Sequence, residues 1–410
     1  ALLHAATMVT AGVFLLARSS PLFEYAPNAA ATVTIIGAIT TIFAGTIGLV
    51  QNDLKSIIAY STCSQLGYMI TICGLSNYNV GIFHLFNHAF IKASLFLTAG
   101  VVIHGLANQQ DIRKFGGLQQ VLVFSYTALL IGTLALVGTP YLSGFYSKDV
   151  ILELAYARYS LSGNFSYLLT TFSVFTTSYY SFRLLFMCFN TVTTNLHKQS
   201  ARLVHDADWM MAIVLMGLAL GSIYVGWLVK PMFIGIGTDF WNNSLVIKPS
   251  NSMLFEAEFL PQSIKWLPLV NTTMGGLLAY ALTTLFVKQS YGYTIRYFRQ
   301  VYMFFNQRWF FDKLLNEFIA YPSYKLGLSF IIVFDKGLLE LLPIFGLGLP
   351  RSLKLVYVKL GETQSGFIYH YAAIMIFSAF CALTLLSFDN LVLFVDVRLG
   401  ILMLASLLVF

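Results

Sequence analysis

The chain has 410 residues, with 24 Lys or Arg against 17 Asp or Glu, so 10% are charged while 58% are hydrophobic and the mean hydropathy is +0.75. A soluble domain carries about a quarter of its residues as charges, so this composition excludes an ordinary soluble globular protein and describes one that lives in a bilayer. The formal charge of +7 rests on so few ionisable residues that it is no signal for nucleic acid, and no nucleic-acid partner is expected. Cys63, Cys73, Cys188 and Cys381 lie in apolar stretches without Cys-x-x-Cys spacing, which argues against an iron–sulfur, zinc or disulfide framework and leaves them as packing residues. Nothing at Ala1 resembles a signal or transit peptide, and the chain opens inside an apolar segment without an initiator Met, so further sequence upstream is expected.

An apolar run of about 20 residues crosses the hydrocarbon core as a helix, the form that satisfies its own backbone there. Residues 1 to 17, 32 to 50, 57 to 75, 80 to 106, 121 to 157, 165 to 190, 209 to 229, 267 to 287 and 367 to 388 are such runs, and 391 to 410, with Asp396 and Arg398, is a weaker tenth. The expected fold is therefore all-α and polytopic. The run 121 to 157 is longer than a span requires and carries Gly138-Thr139-Pro140 and Gly144 just before Lys148 and Asp149, which reads as a broken helix. Pro140 removes a backbone donor, and such breaks persist at membrane depth where protein or a wet cavity surrounds them.

Alternate loops differ in basic residues. The loops 18 to 31, 76 to 79, 158 to 164 and 230 to 266 hold Arg18, Arg158, Lys230, Lys248 and Lys265. The loops 51 to 56, 107 to 120, 191 to 208 and 288 to 308 hold Lys55, Arg113, Lys114, Lys198, Arg202, Lys288, Arg296, Arg299 and Arg308, which puts this second set inside. Beyond them, residues 309 to 342 alternate polar and apolar pairs at helical spacing from Trp309-Phe310-Phe311-Asp312-Lys313 onward, the pattern of an amphipathic helix lying along the inner surface. Unbroken, it would extend about 50 Å, although Pro322 is expected to kink it. It either hugs its own bundle or reaches neighbouring subunits.

Ionisable residues inside spans are functional candidates because charge is costly in hydrocarbon. His84, His88 and Lys92 are spaced four apart, so they share one helix face and describe a proton wire. A buried amine is pushed toward its neutral form and can then exchange protons, and histidine titrates near neutrality unaided. The competing reading makes the histidines hydrogen-bonding glue between helices and Lys92 a buried counter-ion. Lys148 and Asp149 follow the break, with Glu153 four residues on; they either complete a path or mark an interfacial helix end. Arg183 reads as structural, and His104 and His370 as interfacial.

There is no Gly-x-Gly-x-x-Gly after a strand, no phosphate-binding loop and no Cys or His cluster with metal spacing, so no cofactor and no metal is expected on this chain. The 16% of aromatic residues suits lipid-facing and interfacial positions, where membrane lipids would bind, and no feature asks for a quinone site.

Leu3-His4-Ala5-Ala6-Thr7-Met8, Asn52-Asp53-Leu54-Lys55, Tyr60 to Met69, His84 to Lys92 and Gly144-Phe145-Tyr146-Ser147-Lys148-Asp149 resemble the antiporter-like subunits of respiratory complex I over essentially the whole chain. Among these subunits the resemblance is strongest to the member with a lateral helix, through Trp309 to Lys313 and the segment Gln364 to Tyr371, and the loop from Gly237 has a plant or algal mitochondrial character. The resemblance implies residues 1 to 31 as the last helix of a preceding repeat plus a loop, 32 to 190 as a five-helix repeat broken near 138 to 149, and 191 to 308 as two further spans. It also implies 309 to 366 as a lateral amphipathic helix and 367 to 410 as a C-terminal transmembrane anchor. By the same resemblance Lys92 is the central lysine, His84 and His88 its relay partners, Lys148 with Asp149 the charged pair of the broken helix, and His4 the link between two half-channels. The implied setting is the mitochondrial inner membrane beside the other membrane-arm subunits, with NADH, FMN, iron–sulfur clusters and ubiquinone on other chains. The family's first repeat is absent here, so the chain is expected to be the C-terminal half of a split subunit assembled with a separate N-terminal half, or else a truncation. Other readings are a cation/proton antiporter subunit outside complex I and a structural clamp without an ion path.

Overall fold

A computed structural model of the chain describes residues 7–191, 204–242, 244–286, 298–339 and 348–386. The weak tenth run, with Asp396 and Arg398, lies outside them, as do Lys198, Arg202, Lys288 and Arg296. Among the described residues the structure is helical throughout, and the single β feature is an isolated bridge between Asp53 and Asp111. The chain divides into two units, Ala1–Phe311 and Asp312–Phe410.

In the first unit the long helices are α1 Thr10–Arg18, α2 Pro27–Val50, α3 Leu54–Gly74, α4 Tyr78–Gly105, α5 Val123–Val137, α6 Ser143–Ala157, α7 Leu161–Leu185, α8 Trp209–Ile234 and α9 Gln262–Tyr280, followed by the shorter α10 Arg299–Asn306. Each apolar run with described residues in this unit is thus a helix, and the run 121 to 157 is two. Helix α5 stops at Val137, Gly138 and Tyr141 take left-handed φ of +89° and +71°, and α6 restarts at Ser143. Helices α2 and α3 pack tightly because small residues face each other: a Cβ on Gly37 would come within 2.7 Å of Thr71 N, and one on Gly67 within 2.8 Å of Thr41 N. Helix α4 packs on α3, α5, α6 and α8, and α7 closes against α2 and α9, so α4 is the bundle's central element.

Helices α2, α4 and α8 are long and apolar enough to cross a membrane. Helices α3 and α7 carry more Ser and Thr, yet both are buried in the bundle. Several of their hydroxyls are satisfied by their own helix: Ser61 and Thr62 donate to Ile58 O, Thr71 to Gly67 O, Thr170 to Ser166 O and Thr177 to Val174 O. Back-bonding of this kind lets polar side chains sit inside an apolar bundle without stray donors.

The loops fall into the two sets expected from their charges. At the basic end, Leu54 N donates to Gln110 O, Ile112 N to Asn52 O, and Asn52 Nδ2 to Tyr302 Oη. At the opposite end, Val246 N donates to Ser20 Oγ, Lys248 N and Asn251 Nδ2 to Glu24 Oε2, and Arg158 Nη2 to Asn251 Oδ1. Near the end of this unit, Arg308, Trp309 and Phe310 all have left-handed φ of 55–56°, a reversal held by Trp309 Nε1 donating to Thr46 Oγ1 and by ring contacts with Phe43 and Phe304.

The second unit continues as helical segments ending at Leu315, then Asn316–Ala320, Tyr321–Ser329 and Phe330–Leu339, followed by α11 Gly348–Thr363 and α12 Ile368–Leu386. Asn316–Ala320 is a wide π-turn directly before Pro322, so the hydrogen-bond register loosens where the ring would disturb it. Arg308–Lys336 is also apolar enough to cross a membrane by length and composition. No described side chain of Asp312–Lys336 is buried.

Candidate functional site

The site is built on α4. His84, His88 and Lys92 are all at least 97% buried, at relative exposures of 3%, 1% and 0%, and they lie one turn apart on one face. The rings of His84 and His88 have centroids 6.1 Å apart. Helix α3 presents Ser61, Gln65 and Tyr68 to this seam, and their spacing of four and then three residues keeps them on one face. Lys92 Nζ donates to Ser61 Oγ. His84 Nε2 lies 3.1 Å from Gln65 Oε1, and His84 Nδ1 lies 2.8 Å from Ser147 Oγ on α6. One imidazole thus joins α3 to the broken helix, and it can donate from only one nitrogen when neutral.

Lys148 follows Ser147 and is 1% exposed. Its Nζ donates to Thr177 Oγ1 on α7 at 3.0 Å and to Val137 O at 3.4 Å, and sits 5.6 Å from the centroid of the Tyr68 ring. Val137 O is one of the carbonyls that the helix break leaves without an intrahelical donor, so the break supplies an acceptor for the ammonium. Tyr68 is fixed in turn by its hydroxyl donating to Thr170 O at 2.9 Å and Ser173 Oγ at 3.0 Å. Lys148 therefore points into the bundle, whereas Asp149 is half-buried and within electrostatic reach of Lys148 and Glu153. Glu153 in turn faces the charges of Lys265, Glu258 and Lys230. Lys265 Nζ, in the first turn of α9, donates to Glu258 O at 2.8 Å at the end opposite the basic one.

The structure accordingly brings His84, His88, Lys92 and Lys148 to one seam with Asp149 at its margin. His4 lies outside the described residues. Arg183 does not join the seam: it donates to Leu49 O, Gln51 O and Asn52 Oδ1, closing the C-terminal end of α2, where a cation meets unpaired carbonyls. His104 is exposed beside His205, and His370 is exposed and hydrogen-bonded to Ser365 at 2.6 Å. Ser61, Gln65, Tyr68, Ser147 and Thr177 were not singled out as site residues by sequence reasoning. The signal for α3 was the shared face of 61, 65 and 68; nothing distinguished Thr177 from the other hydroxyls of α7. Among the described residues no group of His, Cys, Asp and Glu has the geometry of a metal site.

A bundle centred on a helix with a buried Lys/His face, closed by a helix broken opposite it, is a polytopic membrane protein of the antiporter-like kind. In agreement, the family model described as NADH:quinone oxidoreductase/Mrp antiporter, transmembrane, matches residues 1–179, and that described as NADH dehydrogenase subunit 5 C-terminus matches residues 180–386. The chain belongs to the NADH-ubiquinone oxidoreductase chain 5 family. It is 52% identical to the chain 5 of Marchantia polymorpha over 92% of its own length and 56% of that protein. It is 48% identical to the chain 5 of Arabidopsis thaliana over 99% of its own length and 61% of that protein. The chain thus spans little more than half the length of these curated relatives. A chain in the solved structure of an Mrp complex from a Dietzia species shares the fold with a TM-score of 0.58 at 19% identity, covering 94% of this chain and 37% of that one.

Proposed function

We propose that this chain carries protons across the mitochondrial inner membrane as part of the membrane arm of respiratory complex I, using Lys92 as the group that takes up and releases the proton. The observation that carries the reading is that Lys92, His88 and His84 share one buried face of α4. Lys92 is held by Ser61, His88 and His84 follow at one-turn intervals, and Ser147 joins His84 to the helix that bears Lys148. Each side chain can accept or donate a proton or a hydrogen bond, and because both ring nitrogens of His88 are buried without a hydrogen-bond partner, the steps from His84 to His88 and from His88 to Lys92 would need a bridging water or a side-chain movement. Asp149 and Glu153 extend it toward the end where Lys230, Glu258 and Lys265 gather. The driving energy comes from redox chemistry on other subunits, which would hold the NADH, FMN, iron–sulfur and ubiquinone sites. Bound lipid covers the apolar faces.

The test is Lys92→Met in the intact complex, which keeps the bulk of the side chain and removes the titratable group. Proton pumping is expected to be lost while the complex still assembles on a native gel. Full pumping by the assembled variant sinks the proposal.

A second reading is favoured by one observation: the described residues of Asp312–Lys336 bury nothing within their own unit. As a clamp on neighbouring subunits, the chain would fail to assemble after deletion of 309–350, and Lys92→Met would pump normally.

A further inference from the structure

The two ring nitrogens of His84 have different kinds of partner: a hydroxyl at Nδ1, from Ser147 on α6 at 2.8 Å, and a side-chain amide at Nε2, from Gln65 on α3 at 3.1 Å. Gln65 is 1% exposed, so bulk water does not stand in for it. The other end of its amide, Nε2, is buried with no closer partner among the described residues, and the hydroxyl of Tyr180 on α7 is turned toward Gln65, Ser61 and Ser64. The Tyr180 ring is itself buried and held against α2, where a Cβ on Gly48 would come within 3.0 Å of it. The Gln65 amide thus stands between the imidazole of α4 and the phenol of α7.

A primary amide accepts at one end and donates at the other, and inverting it exchanges the two while leaving its shape unchanged. With the carbonyl toward His84, the imidazole carries its proton on Nε2, Nδ1 accepts from the Ser147 hydroxyl, and the amide nitrogen donates to Tyr180 Oη. With the amide nitrogen toward His84, it donates to a bare Nε2, Tyr180 Oη donates to the carbonyl, and Nδ1–H donates to Ser147 Oγ, whose own proton turns to Gly144 O at 3.4 Å. Both arrangements give each of these buried groups a partner, and a buried polar group without one costs free energy. An imidazole that passes a proton has need of both, because taking a proton on one nitrogen and releasing one from the other leaves it in the opposite tautomer.

We propose that Gln65 is a positioning residue for His84 whose amide inverts with each change of the imidazole tautomer, Tyr180 pairing with whichever end turns away. An amide suits the position better than a carboxylate, which when ionised accepts only and holds the imidazole in its charged form. The titratable groups that face His84 are His88 on its own helix and Lys148 on α6, and both stay in place when Gln65 is replaced.

The inference rests on the Lys92 relay and is tested by NADH-driven pumping of the intact complex in vesicles, each variant expressed as a ratio to the parent across pH. Gln65→Met keeps the length and loses both polar ends, and is expected to pump about tenfold more slowly at every pH, the scale of one unmet buried hydrogen bond. Gln65→Glu is expected to pump close to the parental rate near about pH 6, where a protonated carboxyl still offers a donor and an acceptor, and to fall behind as pH rises to about 8 and the ionised carboxylate serves one state only. A Gln65 that merely fills space gives ratios that do not change with pH. A pH-independent ratio in Gln65→Glu overturns the proposal, as does parental pumping in Gln65→Met beside a Lys92→Met variant that does not pump. Parental pumping in Lys92→Met instead overturns the relay itself. If either Gln65 variant does not assemble, electron cryo-microscopy of the unmodified complex decides: the Gln65 amide is expected within about 2.7–3.2 Å of both His84 Nε2 and Tyr180 Oη, and a gap between Gln65 and Tyr180 too wide for a hydrogen bond overturns the proposal.

Discussion

Replacing Ser147 with Ala tests whether the path runs through the broken helix. Ser147 is fully buried, and its hydroxyl is the partner of His84 Nδ1 at 2.8 Å. Alanine leaves that nitrogen without a partner in an apolar bundle, a penalty of about 1–3 kcal/mol. At about 1.36 kcal/mol per factor of ten, the protonation state of His84 that relied on the bond is disfavoured roughly 5- to 150-fold. Because the penalty falls on one tautomer or charge state of a member of the proposed relay, it should appear in the pumping rate more than in assembly. The assay is NADH-driven acidification of vesicles containing the intact complex, read with a pH dye beside NADH oxidation by an artificial acceptor. Pumping is expected to fall within the 5- to 150-fold range, oxidation by the artificial acceptor to stay at the parental level, and Ser147→Thr to restore most of the loss. Parental pumping by Ser147→Ala, with Lys92→Met dead, would show that protons reach Lys148 without His84.

Two further expectations concern the scaffold. Gly67→Val would drive a Cβ against Thr41 N and the Thr41 methyl, at 2.8 Å and 2.6 Å before any shift, and backbone cannot yield as a side-chain tip does. Overpacking of about 1–3 kcal/mol or more is expected to separate α2 from α3, so the complex should be missing from a native gel, whereas Gly12→Ala, with nothing near its Cβ, should assemble normally. In the loop at the basic end, Arg113 hydrogen-bonds Asp111 and holds its carboxyl below the usual carboxylate range. The lowered folded value means that the contribution of this pair is present above the ordinary Asp range near about 3.9 and is lost only as pH falls through the lower value. Hydrogen-exchange protection of the Leu54 and Ile112 amides is therefore expected to be unchanged between pH 7 and about 5, and to drop modestly, by under about 1 kcal/mol, in Asp111→Asn across that same pH range. A loss of protection in the parent at pH 5 would contradict the pairing.

Hydropathy made most of this fold legible, because a bilayer admits few alternatives to a helix. The break was legible for a different reason: Gly138 and Pro140 two residues apart, with Gly144 beyond, together weaken a helix far more than either does alone, and the structure interrupts the chain between Val137 and Ser143. The grouping of loops by charge also anticipated which ones touch, as Leu54 with Gln110 and Glu24 with Asn251 demonstrate. At the site, the Lys/His face was readable because basic residues at fourfold spacing are rare in apolar helices. The hydroxyls and the amide that hold those residues were not. Ser61 and Ser147 look like any small helix-packing residue until the partner helix is placed, and Thr177 is one of many hydroxyls on α7 whose neighbours only tertiary structure decides. Arg183 showed the limit of residue-type reasoning from the other side: a buried charge in a span can be a helix cap.

The partners of the two buried lysines bear on whether they carry protons or merely stabilise the bundle. A buried ammonium kept for structure is normally held by a carboxylate, since an unpaired buried charge is expensive. Among the described residues no salt bridge involves Lys92 or Lys148. Lys92 is held by Ser61, and Lys148 by Thr177 and a backbone carbonyl. A hydroxyl differs from a carboxylate in that it accepts from an ammonium and, after rotating, donates to the neutral amine. It therefore tolerates both protonation states of its partner, whereas a carboxylate holds only one of them well. The same holds for Ser147 against either tautomer of His84. Moving one charge against 100 mV takes about 2.3 kcal/mol, so a carrier must have its two states within a few kcal/mol of each other for a conformational signal to switch them. Hydroxyl partners at every basic group of the seam but His88 keep that gap small, and a clamp would have no use for the arrangement.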